Sequence, residues 1–331
     1  LTFTFFFLYL DKKSKEHNDK FSFFTYGWLF GFGYFFTNLY WISISLTFDQ
    51  NYKFLIPLTV LLIPSFLALF YGLVSLIFLL YKPKKIVSSL LFFSLIFGVI
   101  EFIRGTILTG FPWNLIAYSF LNQLKIISIT SVIGTYGFNL FCISLFSSPS
   151  LLVLRESFRE IVVFIFFLIS LFIFYFYGHL YEKKFYTSNN TKLDYKIRAI
   201  GSNIGLDRFY SNINSGLVIE ELIKISEPNL KEKTIFIWPE GIIPDTSQTE
   251  LLKYKGLFKN KFNNNHLIAM GINGESIDNS STEYFNTFSV FDNELNLLNS
   301  YNKINLVPFG EFLPFENFLS MIGLKAITNN Y

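Results

Sequence analysis

The sequence predicts a polytopic α-helical membrane bundle followed by an α/β domain, on three observations. From Phe21 to Gly178 the chain is a succession of long apolar runs. From about Tyr195 onward, short β-rich segments alternate with helical patterns. Charged residues make up 15% of the 331 residues, against about 25% in an average soluble domain, and the deficit falls in the first half.

A spanning helix needs about 20 mostly apolar residues. No charge occurs from Phe21 to Phe48, from Phe54 to Leu80, from Ile86 to Ile100, from Ile126 to Leu154, or from Ile161 to Gly178. Leu1 to Leu10 reads as the tail of one more span. Such runs in succession are not explained by buried helices of a soluble protein. The loops between them set an orientation. Lys12, Lys13, Lys15 and Lys20 share one loop, Lys82, Lys84 and Lys85 another, and Arg155 and Arg159 a third. The intervening loops hold only Lys53 or are flanked by Arg104 and Lys125. The positive-inside rule assigns the basic set to the cytoplasm, so five crossings after the first basic loop leave the chain beyond Gly178 outside.

Within the bundle, Gly27 and Gly31 have the G-x-x-x-G spacing that lets two helices approach closely. Pro57 and Pro64 are expected to kink their helix, as membrane helices tolerate. Glu101 and Arg104 lie one helical turn apart near the end of a span, where ionisable groups are costly and usually paired. They read first as a structural pair and second as a contact for a lipid headgroup. The following Leu108-Thr109-Gly110-Phe111-Pro112-Trp113-Asn114 suggests a turn at the membrane interface with Trp113 at headgroup level. An ordinary anchored loop is the alternative.

Residues 1–180 are therefore assigned to the bundle, 181–194 to a linker rich in Lys, Ser and Asn, and 195–331 to a water-side domain. In that domain strands are expected at Lys196 to Asn203, Thr234 to Trp238, Leu267 to Ile272, Phe285 to Phe291 and Leu297 to Asn302. Helices are expected at Ser215 to Ser226 and around Gln248 to Lys259. Thr234-Ile235-Phe236-Ile237-Trp238 has the apolar character of a strand buried on both faces. Glu240 follows it directly, behind Pro239. Ligands of α/β sheets bind beyond the carboxyl ends of strands, and a partly desolvated carboxylate there makes a useful general base. Lys303 follows another strand, and a fixed ammonium can stabilise an oxyanion on a carbonyl under attack. Each, taken alone, reads equally well as a surface or salt-bridged residue.

Composition excludes other classes. A net charge of +3 implies no nucleic-acid partner. One cysteine, Cys142, inside an apolar run, and three scattered histidines (His17, His179, His266) support neither a disulfide framework nor a metal site. No cofactor is expected. The chain starts within an apolar stretch at Leu1 and stops at Tyr331, so it is read as an internal fragment.

Taken together, several segments resemble the apolipoprotein N-acyltransferases, bacterial membrane enzymes that complete lipoprotein maturation. They are Glu101-Phe102-Ile103-Arg104-Gly105 with Thr109-Gly110-Phe111-Pro112-Trp113, and Trp238-Pro239-Glu240 with Ile243-Pro244-Asp245. Tyr284-Phe285-Asn286-Thr287 and Tyr301-Asn302-Lys303 through Leu306-Val307-Pro308-Phe309-Gly310-Glu311-Phe312-Leu313-Pro314 complete the set. Asn38, Tyr40 and Trp41 match more loosely. The resemblance runs through nearly the whole chain in the right order, and its last block is the most specific.

That resemblance implies a nitrilase-like soluble domain, a four-layer α-β-β-α sandwich with a Glu-Lys-Cys triad, incomplete in this chain. Carried over, Glu240 matches the general base, Lys303 the residue supporting the tetrahedral intermediate, and Glu311 a second active-site glutamate. Glu101, Arg104, Phe111, Pro112 and Trp113 become candidates for contact with lipid substrate. The family's reaction moves an acyl chain from a phospholipid donor to a cysteine as a thioester, then to the amine of the diacylglyceryl-cysteine on an apolipoprotein acceptor. It implies the bacterial cytoplasmic (inner) membrane, with the catalytic domain on the periplasmic side. The nucleophilic cysteine is expected several tens of residues after Lys303, beyond Tyr331, and Cys142 is no substitute, so these residues alone are expected to be inactive. Ser202-Asn203-Ile204-Gly205 and Phe209 depart from the family pattern. The competing readings are a membrane-tethered nitrilase-type amidase and a non-catalytic membrane scaffold or transporter.

Overall fold

The computed structural model describes residues 1–47, 50–107, 110–187, 194–204, 214–243, 246–278 and 281–306. Contacts divide the chain into two units, Leu1–Asn189 and Asn190–Tyr331.

The first unit is helical. Its elements are α1 (Thr2–Glu16), α2 (Lys20–Leu39), α3 (Ile56–Tyr81), α4 (Ile86–Thr106), α5 (Leu124–Ile127), α6 (Thr130–Ser147), α7 (Ser150–Val153) and α8 (Phe158–Thr187). Among the described residues four helical stretches are long and apolar enough to cross a membrane: Lys53–Tyr81, Ile86–Thr106, Thr130–Val153 and Phe158–Thr187. α2 is not one of them. Its 20 residues include Ser22, Thr25, Tyr34, Thr37 and Asn38, and the charge-free run beyond it continues from Tyr40 to Thr47 as 3-10 helix. By length and hydropathy, four of the five charge-free runs qualify among the described residues.

Large apolar side chains face outward along these helices, among them Phe66, Leu91, Phe166 and Phe172. That is the surface lipid accepts and water does not. The interior is aromatic. Phe7, Phe78, Phe93 and Phe97 are fully buried, and Tyr71 meets Phe97 edge-on at 4.6 Å.

The two small residues on α2 explain how closely it packs on α3. A Cβ at Gly27 would run into the Tyr71 carbonyl, and one at Gly31 would lie 2.9 Å from the Tyr71 Cβ. Pro64 lies inside α3 as expected, but Pro57 occupies its first turn. There the missing N–H forfeits no helical bond, so Pro57 starts the helix and does not kink it. Asp11, only 1% exposed, pairs with Lys15 at 2.7 Å and with Lys82, tying α1 to the turn after α3.

The second unit holds one mixed sheet in the order β1-β2-β3-β4-β5. Its strands are β1 (Lys196–Ala199), β2 (Thr234–Ile237), β3 (His266–Asp278), β4 (Ser281–Phe291) and β5 (Leu297–Asn302). β1, β2 and β3 run parallel, and β4 and β5 follow antiparallel. The parallel connections need crossovers. The second crossover contains α10 (Gln248–Leu251) and α11 (Lys255–Lys259), and the first contains α9 (Ser215–Ser226). Val218, Ile219 and Leu222 of α9 join Phe236, Trp238, Phe258 and Ile268 in one core. A helical membrane part followed by an α/β domain is therefore the observed architecture.

Several expected elements differ: β1 stops at Ala199 instead of Asn203, and β3 and β4 run longer than their apolar stretches. The single helix at Gln248 to Lys259 breaks into short pieces, because Tyr254 leaves helical geometry (φ −99°, ψ 8°) two residues before Gly256. β2 buries Thr234 and Phe236, while Ile235 and Ile237 are only partly covered. Its two faces are unequal.

The β4–β5 turn is organised by Asp292, whose Oδ1 accepts the amides of Glu294 at 2.8 Å and Asn296 at 2.9 Å. Burial pushes the Asp292 carboxyl up, but the Asn296 side chain and the amides of Asn296 and Glu294 outweigh it and hold it below its ordinary range. A depressed carboxyl contributes stability in full above its unfolded value and loses it as pH falls through the folded value. Asp292→Asn is expected to unfold more easily than the parent at neutral pH. The two should converge in acid below the depressed value, as read by thermal unfolding across pH. In the bundle, Gly27→Val is expected to cost about 1–3 kcal/mol through overpacking. Gly33→Val, where a Cβ meets nothing within 4 Å, should show no clash penalty in the same detergent melt.

Candidate active site

Glu240 stands just beyond the carboxyl end of β2. The strand is carried one residue further by the Trp238 amide, which donates to Ala269 O at 2.8 Å. The indole of Trp238 is 1% exposed and donates to Ser226 Oγ at 3.0 Å, so the base of the turn is pinned to α9. Across from it β3 presents Gly271. A Cβ there would sit 2.7 Å from Glu240 Cα and 3.0 Å from its Cβ, so only glycine lets the two backbones meet. This seat fixes where the carboxylate emerges.

Its oxygen then meets two donors. Asn286 Nδ2, from β4, donates to Glu240 Oε1 at 2.6 Å, and Lys303 Nζ reaches the same oxygen at 3.3 Å. Lys303 is delivered by the end of β5, where its own amide donates to Asn286 O at 2.8 Å. Asn286 therefore holds both partners, Glu240 with its side chain and Lys303 with its backbone. The structure brings Glu240 and Lys303 together, 63 residues apart in sequence.

The surroundings differ from expectation in one respect. The Glu240 side chain is 60% exposed and that of Lys303 33% exposed. The described residues do not supply the desolvation invoked for a carboxylate at this position. Glu311 lies outside the described residues. Asn286 was quoted only as part of a matching segment, and its role went unnoticed. β3 separates the strand of Asn286 from the strand that leads to Glu240, so no sequence pattern signals their contact.

A second candidate site lies in the helical unit. Glu101 and Arg104 are both fully buried and joined through two hydrogen bonds, Nε to Oε1 at 3.1 Å and Nη2 to Oε2 at 2.8 Å. Such burial favours the structural pair over contact with a headgroup. Arg104 Nη1 also donates to the carbonyls of Phe111 at 2.7 Å and Trp113 at 3.1 Å. Beside this turn is a cavity of ≈ 1150 Å³, lined by Tyr34, Asn38, Trp41, Trp113, Tyr118 and Phe146 among others. Phe111 packs on Trp113 with ring centroids 5.2 Å apart. Cys142 is buried in α6, and no cluster of metal-ligating side chains occurs among the described residues.

Residues 1–148 match the apolipoprotein N-acyltransferase N-terminal domain. Similarity continues through the second unit. An apolipoprotein N-acyltransferase of Brucella melitensis biotype 1 is 29% identical over 307 residues, covering 91% of this chain and 57% of the relative. Over most of its length the chain is similar to apolipoprotein N-acyltransferases. The enzyme of that name from Rickettsia prowazekii is 29% identical over 328 residues, 96% of this chain and 62% of its own length. One from Rhizobium leguminosarum bv. trifolii is 28% identical over 314 residues, 92% and 58% respectively. The chain thus spans somewhat more than half the length of these curated relatives.

The seat at Gly271 gives a direct test of what positions the carboxylate. Gly271→Ala is expected to destabilise by about 1–3 kcal/mol, the usual range for forced overpacking. Gly256→Ala, in α11 with nothing within 4 Å, should stabilise by about 0.4–1 kcal/mol through the unfolded chain. Denaturant midpoints of the two variants decide it.

Proposed function

We propose that this chain contributes the lipid-embedded bundle and the acid–base groups of an N-acyltransferase that uses a phospholipid as acyl donor and an apolipoprotein as acceptor. The observation that carries the proposal is the convergence of Glu240, Asn286 and Lys303 at one end of the sheet, in a chain similar to enzymes of that name.

The chemistry follows from what each group can do. In the first half, Glu240 takes the proton of a cysteine thiol, and the sulfur attacks the ester carbonyl carbon of the phospholipid. Lys303 stabilises the oxyanion that forms there. Collapse breaks the C–O bond, and the departing lysophospholipid oxygen takes the proton back from Glu240, leaving a thioester. In the second half, the α-amine of the S-diacylglyceryl-cysteine attacks the thioester carbon. Glu240 accepts the amine's proton and returns it to the departing sulfur, so amide and thiol are formed together. The triad of the family supplies that thiol, a role that Cys142, buried in α6, does not fill. Glu311 is assigned as a further active-site carboxylate on resemblance.

The remaining assignments complete this reading. Residues 1–180 are assigned to the bundle, 181–194 to the linker and 195–331 to a nitrilase-like domain. The basic loops argue for that domain lying on the periplasmic side of the bacterial inner membrane. The apolar cavity lined by Trp41 and Trp113 suits an acyl chain, and Phe111 and Pro112 are assigned to lipid contact on resemblance.

The test is transfer of a labelled acyl chain from phospholipid to a diacylglyceryl peptide by membranes expressing the native reading frame. Glu240→Gln is expected to lower the rate on the order of 10²–10⁴-fold, the contribution of a positioned general base. Lys303→Ala is expected to lower it about 10²–10³-fold, as for a lost oxyanion donor. Membrane levels should stay near those of the parent. Either variant retaining full activity removes its residue from the mechanism.

A further inference from the structure

The buried pair in the bundle has a second task that its burial alone does not explain. Arg104 directs four N–H bonds, two to Glu101 and two to the carbonyls of Phe111 and Trp113. Its own carbonyl accepts the Phe111 amide at 3.2 Å, so one residue grips Phe111 by both of its peptide groups. Tyr118 Oη donates to Pro112 O at 3.3 Å, and Tyr34 Oη donates to Asn114 O at 2.8 Å. Four successive carbonyls, from Phe111 to Asn114, are thereby satisfied from inside the protein.

Irregular backbone in an apolar environment persists only when its polar groups are matched internally. This turn is therefore held in one shape, and the shape decides where an aromatic ring lies. Trp113 meets Trp41 with ring centroids 5.1 Å apart, and both line the cavity. The guanidinium itself is packed over the Phe35 ring at 5.2 Å, so it is fixed from a third side. Every link from Glu101 to the indole pair is short and directional.

We propose that Glu101 and Arg104 are positioning residues for an aromatic clasp, Trp41 against Trp113, that shapes one wall of this cavity. Neither touches the ligand; both act through the turn. A planar fork is required, because a lysine ammonium cannot hold a carboxylate through two bonds while reaching two carbonyls. The consequence for lipid rests on the reading of the cavity as the acyl-chain site.

Two indoles this close give an exciton couplet in circular dichroism, identified by its disappearance in Trp41→Phe and in Trp113→Phe. Arg104→Lys is expected to lose the couplet with the helical signal unchanged, and a couplet retained in that variant overturns the proposal. Should Arg104→Lys fail to fold, the neutral double variant Glu101→Gln, Arg104→Met leaves no unpaired charge and is measured instead. It should fold, insert and lack the couplet. A couplet in the folded double variant, or its failure to fold, shows that the pair does not serve the clasp and overturns the proposal. In acyl-transfer assays the same variants should raise the apparent KM for phospholipid with kcat little changed. An absent couplet with no change in KM leaves the clasp standing and sinks its link to the lipid.

Discussion

Where water is absent, a polar group without an internal partner is a standing cost of several kcal/mol, and the helical unit is built around that constraint. Its deepest charges come in pairs: Glu101 with Arg104, and Asp11 with Lys82 and Lys15. Removing one member of a buried pair typically costs 3–5 kcal/mol, because the other charge is stranded. The fork of Arg104 also answers the backbone of the turn after α4. Asn139, buried in α6, answers the Ala117 amide in the same way at 2.9 Å. Arg104 and Asn139 thus serve main chain outside the helices, whereas Ser75, Ser89 and Ser94 are buried inside α3 and α4 without a hydrogen-bond partner.

The sheet unit obeys a different economy. Glu240 is exposed and Lys303 only partly covered, and an ion pair open to solvent stabilises a fold by only about 0–1 kcal/mol. Their meeting is therefore no product of their attraction. It is imposed by backbone: the close approach of Gly271 to Glu240, and the amide of Lys303 on Asn286. A pair held by the scaffold and not by its own energy is free to exchange its contacts when substrate arrives. That is what preorganised acid–base chemistry needs.

Much of the architecture was legible because hydrophobic period and turn chemistry are local. β5 lies where its sequence pattern predicted, and α9 starts at Ser215 and ends at Ser226 as read. Misreadings came where the deciding contact was distant. Pro57 reads as a kink from sequence, whereas its place in the first turn of α3 makes it a helix start. β3 and β4 are far longer than their apolar stretches because each completes the other's hydrogen bonds along eleven paired positions, polar ones included.

The sequence by itself determined that this chain has an apolar bundle and a water-side α/β unit, since solvent preference is additive along a segment. It also pointed to Glu240, Lys303, Glu101 and Arg104, because a charged or catalytic side chain beside an apolar run is conspicuous. Tertiary structure alone decided their partners. Asn286 between base and lysine, Gly271 beneath the base, and the four carbonyls gripped by Arg104, Tyr118 and Tyr34 depend on backbone brought together across strands and turns. Hydrogen bonds and steric contact act over a few ångströms of space, and a linear pattern holds no record of that separation.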